Sequence, residues 1–279
     1  MKMANVQSLE IIIEAGQSGG QYWRDLWRYR ELFYILAWRD ISVRYKQTVL
    51  GIAWSVIRPV LIMVVFTIIF GRLANLPSND VPYPILVFAA MLPWQFFSNA
   101  FSDAGNSLIG NTNMISKIYF PRIIIPTSAI IVSLIDIAIA LVILICLMFW
   151  YGFFPDLRIV TLPLFILYAF ITVLAASIWI SALNVRYRDF RYIIPFIVQF
   201  GLYVSPVGFS SDIVPEQWRL IYSINPMVGV IDGFRWAILG DASRFYWPGF
   251  LLSVCLVLVM LLTGFRYFRK TERTFADVI

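Results

Sequence analysis

The sequence predicts an all-α integral membrane protein: six transmembrane helices per subunit, an N-terminal amphipathic interfacial helix, and short re-entrant helices between spans five and six. Three observations predict it. Of the 279 residues, 60% are hydrophobic and 14% charged, where a soluble domain has roughly 45–50% and about 25%. Apolar runs recur at about 50–71, 84–102, 123–150, 159–184, 191–210 and 247–266, each near the ~20 residues that cross a bilayer. Sixteen of the 22 basic residues fall on the segments that this count puts on one side. Short loops rich in Lys and Arg stay in the cytoplasm, so both termini are expected there.

Residues 1–20 read as an N-terminal tail, with a short strand near Leu9–Ile13 and a Gly/Ser joint. No cleavable signal peptide is legible in it. Residues 21–47 read as the interfacial helix. Trp23, Leu26, Trp27, Tyr34, Trp38, Ile41 and Tyr45 recur at spacings of three, four or seven, interrupted by Arg24, Arg28, Arg39 and Arg44. An aromatic face opposite a basic one suits the headgroup plane. A helix packed on a partner protein also fits, and the two are compatible.

Residues 48–270 read as the transmembrane domain and 271–279 as a C-terminal tail. The basic segment ending at Lys46 runs straight into the first span, which carries no charge from Pro59 to Phe70. The fifth span is the weakest, being interrupted by Pro195 and by Ser205-Pro206. Residues 103–122 form the long inner loop, where Thr112 is placed to cap a short helix running to Lys117 before Pro121; a plain surface turn also fits. Residues 211–246 are too apolar for a solvated loop, yet Pro215, Pro226 and Gly240 divide them into pieces too short to span. Two short helices dipping into the outer leaflet fit, lining or closing an exit path; a simple outer cap is the alternative.

Several chemistries are missing. There is no GxxxxGK[ST] loop for ATP and no HExxH. Histidine is absent altogether, which removes the commonest general base and metal ligand. Cys146 and Cys255 lie in apolar runs and read as packing residues. Asp136 is the one clear carboxylate within a span, with Asp103 at the end of another; Arg58 is its expected partner. One acid is thin support for an ion-coupled carrier. The +6 net charge follows the positive-inside placement, so no nucleic-acid partner is expected.

Aromatics are the surplus, at 17%. Many belong to interfacial belts. Trp94, Phe96, Phe97, Phe101, Phe196, Phe200, Tyr203 and Phe209 lie within spans or near the exit, where their rings could stack on sugars; lipid-facing packing explains them equally well.

The residues Arg39-Asp40-Ile41, Arg44-Tyr45-Lys46, Leu50-Gly51, Trp54 and Pro59 resemble the start of the membrane subunit of type-2 ABC exporters of polysaccharide, the permeases for O-antigen, capsule and teichoic acid. Asn184-Val185-Arg186-Tyr187-Arg188-Asp189 resembles that family's loop between spans four and five. Tyr203-Val204-Ser205-Pro206-Val207 resembles the end of its fifth span, and Asn225-Pro226-Met227 with Arg235 its outer signature. Gly229 stands where the broader pattern tends to a polar residue. The resemblance covers about residues 22–270.

It implies a homodimer docked on two copies of a separate ABC ATPase in a bacterial cytoplasmic membrane. The chain itself would be non-catalytic and hold no cofactor, with ATP and Mg²⁺ in the partner subunit. Asn111, Thr112, Met114, Ile115, Lys117, Ile118, Tyr119 and Phe120 would form the coupling helix, and Trp23, Trp27, Trp38, Arg39 and Arg44 would mark the interface helix. The path for a lipid-linked polysaccharide, with a lean to O-antigen, would involve Arg58, Trp94, Phe97, Phe101, Phe200 and Tyr203, and its outer gate Pro226, Met227 and Arg235. A type-2 exporter of drugs or peptides is the alternative. A membrane glycosyl- or acyltransferase would want the missing histidine or paired acids.

Overall fold

The computed structural model describes residues 19–46, 49–78 and 81–275, with side chains from Tyr22 onward except at 45–52. The expected tail and strand before residue 19, and Gln47, lie outside the described residues. What is described is all helical, without a strand among these residues.

The chain enters through α1 (Gly19–Arg28) and α2 (Arg30–Lys46), offset at Tyr29 rather than forming one continuous helix. Next come α3 (Val49–Phe66), which widens into a π-helical turn at Thr67–Leu73, and α4 (Tyr83–Gly110). A single turn, α5 (Thr112–Ile115), leads to α6 (Ile124–Tyr151), α7 (Leu162–Arg186) and α8 (Phe190–Val204). The outer pair α9 (Glu216–Tyr222) and α10 (Pro226–Leu239) precede α11 (Trp247–Glu272). Five helices, at Ala53–Leu73, Tyr83–Gly110, Ile124–Tyr151, Leu157–Arg186 and Trp247–Glu272, are long and apolar enough to cross a membrane.

α4 is the axle. It is buried nearly all round, whereas the other long helices keep most of their apolar surface outward, the arrangement of helices that face lipid. Between apolar helices in lipid there is no solvent-driven attraction, so close approach matters. Ala89, Ala90, Ala100, Ala104 and Gly105 give α4 that approach to α6, α7 and α8. A Cβ at Gly105 would stand 2.8 Å from Ile194 Cδ1 and 3.2 Å from Ile180 Cγ2.

The helix also outruns its expected end at 102. Past that point Ser102, Asn106, Ser107 and Asn111 return their side-chain donors to carbonyls three or four residues back, at 2.7–2.9 Å. Leu108 meanwhile is fully buried. Polar residues that read as loop are thus satisfied within the helix.

Two expectations need correction. The fifth apolar run ends as a helix at Val204, not at 210, because Pro206 forces Ser205 into extended backbone (ψ 151°). The expected coupling helix is only Thr112–Ile115, with Asn111 rather than Thr112 at its N-cap and Ser116–Phe120, Lys117 included, in turns and bends.

Candidate functional site

At one end of the bundle, three segments far apart in sequence form a single block. Tyr22, Leu36, Leu108, Ile115, Phe120, Ile124, Phe268 and Phe275 share one apolar cluster. Its polar seam is Glu272, which accepts from Tyr22 Oη at 3.2 Å and from the Arg122 backbone N–H at 2.6 Å. The Arg122 guanidinium donates to the Glu272 carbonyl. Arg269 lies 4.8 Å above the Tyr22 ring. Burial first, then the Glu272 carboxylate, pushes the Tyr22 hydroxyl far up, so it stays a donor. On the rim, Arg39 Nη2 donates to Asn111 Oδ1 at 3.1 Å.

Of the expected coupling residues, Ile115 and Phe120 are core and Thr112 and Met114 are half-buried, while Lys117, Ile118 (61% exposed) and Tyr119 (46%) stand outside. Trp27 and Trp38 are also exposed; Trp23 stacks on Phe265 at 5.2 Å. The block therefore presents an apolar and basic outer face on a well-packed base. Its tie through Arg122 and Glu272 was not legible in the sequence, where Glu272 fell in an unassigned tail.

A cleft of about 570 Å³ opens between α3, α4 and α8. Arg44, Arg58, Trp54, Trp94, Gln95 and Asp136 are among its lining residues. The Asp136 ion pair is with Arg44, whose Nη2 lies 3.4 Å away, rather than with Arg58; Asn99 donates to the same carboxylate at 3.3 Å. Arg44 also stands 3.5 Å from Asp103. The sequence favoured Arg58 because both residues fall in spans, but α2 returns along α6 and brings Arg44 in. Trp94 and Arg58 border the cleft. Phe97 and Phe101 stack at 5.3 Å in the core beside it, whereas Phe200 and Tyr203 are exposed on α8. Trp94 packs flat enough on α8 that a Cβ at Gly201 would meet its Cη2 at 2.7 Å.

The opposite end is closed by α9 and α10. Asn225 caps α10, accepting from Met227 N–H at 3.1 Å and donating to Ser205 Oγ at 3.0 Å. That bond joins two of the motifs singled out in the sequence. Pro226 opens the helix at a position suited to it, and Met227 is buried. Arg235 is 2% exposed and donates to three carbonyls: Leu86 (3.3 Å), Phe209 (2.6 Å) and Val207 (3.1 Å). The Val207 and Phe209 carbonyls are groups that the early end of α8 leaves without helical partners. Arg235 thus pins α10 to the start of α4 and to the chain after α8. Asp232, one turn before it, accepts from Ser211 Oγ at 2.7 Å, and burial pushes its carboxyl up to about 6.

Among known proteins, the model of the ABC-2 type transporter family matches residues 31–239. The chain is 26% identical over 250 residues to an O-antigen export system permease of Klebsiella pneumoniae, covering 89% of this chain and 95% of that protein. A Myxococcus xanthus O-antigen export system permease is 28% identical over 214 residues, 76% of this chain and 82% of that one. The polysialic acid transport protein KpsM of Escherichia coli is 22% identical over 248 residues, with 84% and 91% covered.

Proposed function

Since this chain belongs to the ABC-2 type transporter family, we propose that it is the permease subunit of an exporter of lipid-linked polysaccharide, of the O-antigen type, in a bacterial cytoplasmic membrane. The likeness to O-antigen export permeases along nearly the whole chain carries this reading. ATP and Mg²⁺ bind in a separate ATPase subunit, and two permeases pair with two ATPases. Spans one, two and five line the glycan path. The block built on α1, α2, α5 and the end of α11 receives the ATPase, through Ile118, Tyr119 and the exposed tryptophans. ATP-driven closure of the ATPase pair then moves the spans as rigid bodies.

The six-span topology has support in one contact. Arg122 and Glu272 touch, so the inner loop and the end of α11 lie on one side. Between them α6, α7 and α11 each cross; only a fourth crossing, by α8, returns the chain to that side. A 15-residue helix is about 22 Å long, short of the roughly 30 Å core, so Ser205–Phe209 completes the passage. There Arg235 supplies the hydrogen bonds that lipid cannot. On this topology both termini are cytoplasmic, and α9 and α10 re-enter the outer leaflet as a gate.

Co-expression with its ATPase tests the assignment. The two should copurify, lipid-linked glycan should alter ATP turnover, and replacing Ile118 and Tyr119 with Glu should abolish that response. Failure to copurify with any ATPase would reject the reading.

A further inference from the structure

We infer that Arg44 is the positioning residue through which movement of the interface helix reaches the helices around the glycan path. Its guanidinium is shared between two carboxylates on two different helices, Asp103 of α4 and Asp136 of α6. The inference rests on the export reading above and names the side chain that carries its ATP-driven step into the bundle.

Ionisable groups at membrane depth are unfavourable, and where they occur they face a partner and mark a function. Such a cluster is a poor stabiliser, because desolvating the charges offsets most of their attraction. Apolar side chains would pack α2 along α6 equally well, so packing alone does not call for these charges.

The geometry shows what they do. Arg44 Nη1 lies 3.5 Å from Asp103 Oδ2, and Nη2 lies 3.4 Å from Asp136 Oδ2. Both distances exceed the roughly 2.7–2.9 Å of a tight charge-assisted bond, so the guanidinium stands between two acceptors. A shift of α2 by well under an ångström toward one carboxylate tightens that contact and loosens the other. The two acceptors tolerate the exchange for different reasons. Asp136, with its side chain 14% exposed, keeps a second donor in Asn99 Nδ2 at 3.3 Å. Asp103, 50% exposed, keeps water. Asn99 and Asp103 are four positions apart, on one face of α4, so α4 meets α6 through the first and α2 through the second. One cation with two workable acceptors is a two-position element, the kind that turns a small shift at one site into a discrete one elsewhere.

Its place in the fold gives the element its role. Arg44 is in the last turn of α2, just before α3. Earlier on the same helix Arg39 bonds Asn111 at the rim of the block that receives the ATPase. Arg44 and Asp136 both line the cleft between α3, α4 and α8, the spans that the export reading assigns to the glycan. Force applied to α2 by the ATPase is therefore passed to α4 and α6 at the wall of that path.

The test measures ATP turnover and uptake of labelled lipid-linked glycan in inverted vesicles that contain the permease–ATPase complex. Arg44→Gln should lower the glycan moved per ATP about fivefold or more while hydrolysis continues, and Asp136→Asn should act in the same direction. The double variant Arg44→Gln/Asp136→Asn should lose no more than the worse single one, since both break one bridge. Arg44→Lys, whose compact ammonium lacks the fork that reaches both carboxylates, should restore part of the loss. Glycan per ATP equal to wild type in Arg44→Gln would overturn the inference. So would losses that multiply in the double variant, or uptake that falls only in step with the amount of folded complex. Absence of ATP-dependent uptake by the wild type would sink the export reading and this inference with it, so the wild-type arm tells the two failures apart.

Discussion

Arg39 and Asn111, 72 positions apart, meet where α2 crosses the end of α4, with Nη2 donating to Oδ1 at 3.1 Å. The bond ties the interface helix to the inner loop. Both side chains are on the rim, so the bond itself contributes roughly 1 kcal/mol or less to stability. Asn111→Ala should therefore leave the melting temperature nearly unchanged while weakening the response of ATP turnover to glycan. A full response, with normal stability, would remove this pair from the coupling route.

Glu272 holds the same block from the other side, accepting from α1 and from Arg122 just before α6. Glu272→Ala leaves the Arg122 N–H and the Tyr22 hydroxyl without their acceptor, a loss of about 1–3 kcal/mol. Glu272→Gln keeps an oxygen for Arg122 and should recover most of the stability. The expected sign of a coupling role is ATP hydrolysis that continues in Glu272→Ala while glycan export per ATP falls. Export falling only in step with protein abundance would mean that the residue serves folding alone.

Arg235→Leu should be among the most damaging single changes outside the long helices. It orphans the carbonyls of Val207 and Phe209 and removes the tie to Leu86, with an expected cost of roughly 3–5 kcal/mol. Limited proteolysis should then cut first between Ser205 and Ser211. Protection of that stretch equal to wild type would show that α8 and α10 are held by other contacts.

Asp232 gives the outer cap a pH signature. Its carboxyl goes from 3.8 to about 6 on folding, chiefly through burial and against the Ser211 hydrogen bond. The folded form thus binds the proton more tightly than the unfolded one. Its stability declines as pH rises from about 4 to about 6, by roughly 2–3 kcal/mol at most. Asp232→Asn should flatten that part of the melting-temperature profile relative to wild type. Identical profiles for the two proteins would contradict the assignment.

Much of this organisation was legible in the chain. Four of the five long apolar helices begin within two residues of where the hydropathy runs suggest, and the outer segment divides at Pro215 and Pro226 as their chemistry requires. The end of α4 was not legible, because Ser and Asn side chains that signal a loop can also bond backward within a helix. Nor was the partner of Asp136. Residue pairing across helices depends on rotation and crossing, which hydropathy does not encode. The role of Glu272 is not encoded locally for a related reason: it comes from Tyr22 and Arg122, 250 and 150 positions away.

The most direct test is uptake of labelled lipid-linked glycan into inverted vesicles that contain the permease and its ATPase. ATP-dependent uptake that needs both subunits, and is lost with a hydrolysis-deficient ATPase, is the predicted result. Uptake driven by an ion gradient without ATP would contradict the account and make the Arg44–Asp136 pair the place to look for a carrier's ion site.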